Sequence, residues 1–138
     1  MEAIKVQYRR KSGDPVTIVR THDELIELMD EVSETSSTQQ VPSMVEISRV
    51  EDPWDYQIVT AGLGADRGFA QVSGNPVFRT TIGDRTAAGD VVYDYMANAT
   101  DIPAREEVPV STVRTILAAY LESGGQIPDD FAELHPAD

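Results

Sequence analysis

The sequence predicts an α+β fold: an antiparallel meander sheet of about five to seven strands with two amphipathic helices packed on it. Short β-rich runs separated by turn residues occupy the middle of the chain. One helical pattern precedes these runs and a second follows them. Strands bracketed by helices, rather than alternating with them, favour an α+β layer over a parallel βαβ sheet.

The chain begins with a predicted hairpin followed by a helix. Apolar and polar residues alternate over 4–8, turn residues fill 12–15, and an apolar-rich run resumes over 16–20. A helix should begin at Thr21, whose hydroxyl can cap it while Glu24 returns to the Thr21 amide. Its apolar face is Leu25, Leu28, Met29 and Val32, and its other face carries six acids: Asp23, Glu24, Glu27, Asp30, Glu31 and Glu34.

A polar loop is predicted at 33–42, and β-rich strands are predicted at 45–50, 56–61, 68–72, 77–82 and 91–96. The glycine-containing run 62–68 is interpreted as a hairpin loop, because a phosphate loop must lead into a helix and a β-like run follows here. In the strand 91–96, Val91, Tyr93 and Tyr95 share one face. We interpret that face as core; the opposite register would display the tyrosines.

The second helix is predicted from Val110 to Leu121, with Pro109 in a first-turn position and Gly124 as its stop. The tail 126–138 is expected to be irregular. With 138 residues the chain fits one domain, 1–138.

Charge and composition exclude several functions. The net charge of -13 argues against nucleic-acid phosphates or anionic lipid as the main partner; a basic protein partner, or none, fits this charge better. Acidic residues are concentrated in the first helix and from Asp94 onward, so a partner is expected to meet one acidic side. No apolar run approaches the ~20 residues that span a bilayer, and the absence of cysteine suits a reducing cytoplasm, so a soluble cytoplasmic protein is expected.

The sequence predicts no catalytic residues, cofactor or metal. Without cysteine there is no thiolate metal site, and His22 and His135, the two histidines, are interpreted as surface residues. The serines lack a nucleophile-elbow context, so an enzyme is not expected. Adjacent acids such as Glu106 and Glu107 are interpreted as solvated carboxylates.

Several segments together resemble a known family. They are the strand 45–50, the strand and glycine turn 58–68, and a C-terminal block comprising 92–95, 97–103, 108–109, 113–121 and 123–128. In this order they resemble the deaminase-associated immunity proteins of bacterial polymorphic toxin systems, the first of their numbered families. The chain departs from that pattern at Phe131, where the family usually has a tryptophan, and at the additional Gly125.

The resemblance implies an α+β antitoxin that inhibits a cognate secreted toxin, in many systems a nucleic-acid deaminase, by covering its substrate surface. The predicted toxin-binding residues are polar or aromatic side chains in turns and edges: Asp52, Trp54, Asp55, Asp66, Arg67, Asp94, Glu106 and Glu107. Trp54 could equally plug the edge of the core. Two alternatives stay open: a small-ligand-binding or enzymatic α+β domain, and an acidic nucleic-acid mimic.

Overall fold

The structure is a computed structural model that describes residues 3–7, 17–37, 41–51, 56–74, 78–95 and 98–136. Within these ranges the chain forms two α-helices and ten strands. In chain order they are β1 (Ile4–Gln7), β2 (Thr17–Val19), α1 (His22–Ser37), β3 (Met44–Arg49), β4 (Ile58–Leu63), β5 (Arg67–Ser73), β6 (Arg79–Thr80), β7 (Asp90–Tyr95), β8 (Asn98–Pro103), β9 (Val108–Pro109), α2 (Val110–Glu122) and β10 (His135–Pro136). A short 3-10 turn, Ala104–Glu106, joins β8 to β9.

The main sheet has eight strands in the order β10-β6-β5-β4-β3-β1-β2, and β9 pairs with the start of β5. All of these pairs are antiparallel. β3 to β6 run as a meander, and β1 and β2 form the predicted opening hairpin. The predicted α+β class is therefore confirmed.

The two faces of this sheet are covered by different elements. Val45, Ala61 and Ala70 are cross-strand neighbours, and they belong to the large core cluster that both helices complete. The apolar face of α1 is buried as predicted, through Leu25, Leu28, Met29 and Val32. Each such aliphatic side chain contributes about 1.5–3 kcal/mol when fully buried, so this face holds the helices on the sheet.

The opposite face is covered at one end by a separate hairpin of β7 and β8. Met44 and Phe69 lie on this face because they directly neighbour Val45 and Ala70, and they form a second cluster with Tyr93 and Ile102. The Phe69 and Tyr93 rings meet edge to face, with centroids 4.9 Å apart. Gly62 of β4 lies opposite Phe69 of β5. A Cβ at Gly62 would be only 2.5 Å from Tyr93 Cε2.

Two expectations for the strand 91–96 are resolved by this hairpin. Tyr93 is core, as interpreted, with 1% of its surface exposed; the side chain of Tyr95 lies outside the described residues. The strand itself is not part of the main meander, which corrects the predicted sheet. The reason is that its partner β8, with the sequence Asn-Ala-Thr-Asp-Ile-Pro, shows no β-rich pattern from which this pairing could be predicted.

The first helix begins as predicted and ends later. The Glu24 amide donates to Thr21 Oγ1, and the Thr21 amide donates to Glu24 Oε1, each at 3.1 Å, which confirms the cap. α1 continues to Ser37, so the predicted loop 33–42 starts too early. Ser36 explains the difference: its buried hydroxyl donates to Leu63 O at 2.8 Å and accepts from Ser43 N at 2.9 Å. The helix end is thus bonded to β4 and to Ser43, the residue before β3.

The chain after α2 is fixed by buried polar contacts rather than by regular structure. Gln57 donates through Nε2 to Ile127 O at 3.2 Å and accepts through Oε1 from Ile127 N at 2.7 Å. Tyr120 Oη donates to Gln57 O at 2.7 Å. Arg79 donates to the carbonyls of Pro128 and Ile127, at 2.6 and 3.0 Å. These bonds lead the chain to β10, which pairs with β6.

Candidate functional site

The turn between β4 and β5 brings several predicted contact residues to one end of the sheet. The Gly64 amide donates to Arg67 O at 3.0 Å, which closes the turn. A Cβ at Gly64 would lie 2.6 Å from that same carbonyl, so the turn needs glycine there. Asp66 O accepts from Val110 N at 2.9 Å, and Arg67 lies opposite Pro109 of β9. Asp66 and Arg67 are both exposed beside the start of α2.

Glu107 is held in one orientation next to this turn. Tyr93 Oη donates to Glu107 Oε2 at 2.8 Å. Arg67 Nη2 donates to the Glu107 carbonyl at 3.0 Å, and Arg67 Nε lies 3.9 Å from Glu107 Oε1. The Glu107 side chain remains 21% exposed. The result is a carboxylate that reaches solvent while a core tyrosine and a surface arginine limit its rotation.

Burial raises the pKa of Tyr93 well above its usual value, and the hydrogen bond to Glu107 and the charge of Glu107 raise it further. The nearby Arg67 charge opposes this shift only in part. The Tyr93 hydroxyl therefore stays protonated throughout the physiological pH range and acts as the donor in its hydrogen bond to Glu107.

Asp94 lies at the same end of the sheet. Its amide donates to Pro42 O at 2.7 Å, and a parallel bridge pairs it with Ser43. Pro42 also lies next to the β4–β5 turn, because its Cβ is 3.6 Å from the position that a Gly64 Cβ would take. Asp94 is half-buried, and strand alternation places it on the side of β7 opposite Tyr93. We call Asp66, Arg67, Asp94 and Glu107 the turn surface.

Glu106 has a different environment from its neighbour Glu107. It is only 7% exposed. Its Oε1 accepts from Gln71 Nε2 and from Thr80 Oγ1, both at 2.9 Å, and its carbonyl accepts from Thr81 Oγ1 at 2.7 Å. The interpretation of both acids as solvated is therefore wrong for Glu106. Gln71 of β5 is half-buried and Thr80 of β6 is buried, so their side-chain donors need an acceptor, and Glu106 supplies it.

The other predicted contacts, Asp52, Trp54 and Asp55, lie outside the described residues. Sequence reasoning did not predict that Tyr93, interpreted as core, would also hold a carboxylate of this candidate site. The tyrosine hydroxyl is the signal from which a polar contact could have been predicted, because a buried tyrosine hydroxyl usually finds a hydrogen-bond partner.

The acidic helix α1 extends toward the turn surface. His22 Nε2 lies 3.2 Å from Glu122 Oε1, and Arg114 pairs with Asp30. These contacts make α1 antiparallel to α2, so the C-terminal end of α1 lies near the start of α2. Every acid of α1 is exposed. The turn surface therefore lies at one end of an acidic helix.

Among the described residues, no three histidine, aspartate or glutamate side chains are grouped to hold a metal ion. No helix in the described part of the chain is long and apolar enough to cross a membrane.

A family model described as immunity protein Imm1 matches residues 13–135. The chain belongs to the Imm1 family. The match covers every described element of the chain from β2 to α2, and it confirms the resemblance to the first numbered immunity family. An immunity protein implies a toxin protein as its partner. Comparisons with curated proteins and with solved structures returned no match.

Proposed function

We propose that this Imm1-family chain is a cytoplasmic antitoxin that inhibits a secreted toxin of a bacterial polymorphic toxin system by covering the toxin's substrate surface. The toxin is proposed to act on nucleic acid, as a deaminase does. The chain itself is proposed to have no catalytic activity, because occluding an active site needs only a complementary surface.

The observation that carries this proposal is the oriented Glu107 carboxylate at the end of an acidic surface. A toxin that processes nucleic acid needs a positive groove for phosphates. A chain with a net charge of -13 is steered toward such a groove, which raises the association rate. Since Tyr93 and Arg67 already hold Glu107, little side-chain entropy is lost when the carboxylate meets a cation of the groove.

The proposed contact set is the turn surface together with Asp52, Trp54 and Asp55. Glu106 has a supporting role instead, because its side chain is buried and bonded to Gln71 and Thr80. The acidic face of α1 contributes long-range attraction to the same end of the molecule.

The test is binding to the toxin encoded immediately upstream of this chain. The double variant Asp66→Asn/Glu107→Gln removes two charges from the turn surface. We expect it to bind at least about tenfold more weakly, because loss of one partner from a desolvated charge pair costs about 2–5 kcal/mol. The matched control is Asp129→Asn/Asp130→Asn, which removes two exposed charges beyond the opposite end of α2.

Surface plasmon resonance measures both rate constants, and co-expression measures rescue of cells from the toxin. The proposal fails if the wild-type chain neither binds the toxin nor rescues cells. Equal losses in the two double variants would show that total charge matters and that the turn surface does not. Similar affinity for an unrelated basic protein, such as lysozyme, would contradict a cognate partner.

A further inference from the structure

A pocket of about 320 Å³ lies at the β6–β10 edge of the sheet. Its walls include Arg85, Arg105 and His135, together with Thr80, Ile82 and Glu106. Thr80 pairs with Gln71 of β5 on one side and with His135 of β10 on the other. The pocket is therefore built on the face that the helices leave free, and strands and the 3-10 turn supply its frame.

Two cationic groups meet at this pocket because the backbone brings their segments together. The Gly83 amide donates to Arg105 O at 2.7 Å, which joins the loop carrying Arg85 to the 3-10 turn carrying Arg105. A Cβ at Gly83 would lie 1.9 Å from Glu107 O, so this close approach requires glycine. The two guanidinium groups thus line one space although they are twenty positions apart in sequence.

Unlike Arg67 and Arg114, Arg85 and Arg105 have no anionic partner among the residues that the structure describes. Arg67 pairs with Glu107, and Arg114 pairs with Asp30. Within the part of the chain that the structure describes, no carboxylate lies within 4 Å of Arg85 or Arg105, although Asp and Glu outnumber Lys and Arg 24 to 11. Both side chains are exposed. Their charge is therefore available to a ligand.

Glu106 limits what the pocket can accept. Gln71 and Thr80 already donate to one of its oxygens, and these hydrogen bonds hold the carboxylate at the wall of the pocket. Two guanidinium groups and one carboxylate leave the pocket with a net positive charge. Guanidinium groups bind carboxylates and phosphates through paired N–H donors, a geometry that a simple ammonium does not provide.

We propose that this pocket is a binding site for one oxyanion group, a carboxylate or a phosphate, held by Arg85 and Arg105. The site shares no residue with the turn surface. Its proposed ligand is an anion, whereas the toxin groove proposed above is cationic. An acidic protein can thus bind a cationic partner at its acidic surface and an anionic group at this pocket.

The experiment is an NMR titration of the ¹⁵N-labelled full chain at constant ionic strength, in one arm with inorganic phosphate and in the other with acetate. We expect saturable shifts at the amides of Thr80 and Glu106 and at the side-chain Nε–H groups of Arg85 and Arg105. Dissociation constants should be on the order of 1 mM, since the sites are exposed to solvent. Saturation by phosphate alone assigns a phosphate ligand, and saturation by acetate alone assigns a carboxylate. Saturation by both anions shows that the site accepts either group. Each of these results supports the site.

Arg85→Gln and Arg105→Gln should each weaken binding at least about tenfold, because each removes hydrogen bonds to a charged group. Arg20→Gln is the matched control: it removes one exposed arginine next to β2, at the other edge of the sheet. Retained dispersion of the amide spectrum shows that each variant folds. Non-saturable shifts with both anions, or equal binding by all three variants, would overturn the site. Because the titration contains no toxin, neither of these outcomes would bear on the proposed antitoxin function.

Discussion

Replacing Gln57 by alanine removes the side chain that holds the segment after α2 on the sheet. Gln57 is 2% exposed, and it forms a reciprocal pair of hydrogen bonds with the backbone of Ile127, at 3.2 and 2.7 Å. Its own backbone remains bonded in the variant, because Tyr120 Oη donates to the Gln57 carbonyl and the Gln57 amide donates to Gly125 O. The substitution therefore isolates the effect of the side-chain amide.

The two bonds have different costs when they are lost. The Ile127 carbonyl keeps a second donor, Arg79 Nη2 at 3.0 Å. Loss of its bond to Gln57 therefore lowers the free energy of unfolding by about 0.5–1.5 kcal/mol. The Ile127 amide is left without a partner in a buried site, which costs about 1–3 kcal/mol. We expect the free energy of unfolding to fall by about 1.5–4.5 kcal/mol in total.

Equilibrium unfolding in urea, followed by far-UV circular dichroism, measures this loss. The matched control is Ser73→Ala, which removes an exposed side-chain bond to the Ile58 carbonyl and should cost less than about 0.5 kcal/mol. An equal effect of the two variants, or a loss below about 0.5 kcal/mol for Gln57→Ala, would refute the reasoning. A changed m-value would show that the unfolded or native state had also changed.

Three further predictions follow from the second cluster and from an exposed turn. Gly62→Ala should destabilise the fold by about 1–3 kcal/mol in thermal unfolding, because the new Cβ would lie 2.5 Å from the Tyr93 ring; an unchanged melting temperature would contradict this packing. Tyr93→Phe should cost about 1 kcal/mol in urea unfolding, because it removes the 2.8 Å bond to Glu107 and keeps the ring; the same loss in a Glu107→Ala background, which has no acceptor, would argue against the bond. Thr86→Val should raise the pKa of Asp84 toward its usual value in an NMR titration, because it removes the Thr86 hydroxyl bond, the larger of the two Thr86 hydrogen bonds that lower this pKa; an unchanged pKa would exclude the hydroxyl as the cause.

The sequence predicted the elements whose signal is local. The capped start of α1 and its apolar face needed only the spacing of neighbouring residues, and the strand of Tyr93 needed only alternation. The partners of these elements depend on long-range contacts. Nothing in the residues of β8 indicated that it would pair with β7 and cover the far side of the sheet.

The candidate site shows the same division between local and long-range information. A predicted turn is the signal for Asp66 and Arg67, and the structure places Arg67 against Glu107. The adjacent acids 106 and 107 look alike in sequence, yet one satisfies buried donors of β5 and β6 and the other reaches solvent. That difference arises from which strands lie under each side chain, and this information is absent from a single sequence.

The Tyr93 hydroxyl connects an interior ring to a carboxylate at the surface, and this connection provides an intrinsic optical probe. The ring is packed edge to face on Phe69, where an asymmetric environment gives aromatic side chains a near-ultraviolet circular dichroism signal. A ligand that draws Glu107 away from the hydroxyl would change that signal without any attached dye. Changes in the near-ultraviolet circular dichroism spectrum thus report occupancy of the turn surface from inside the protein.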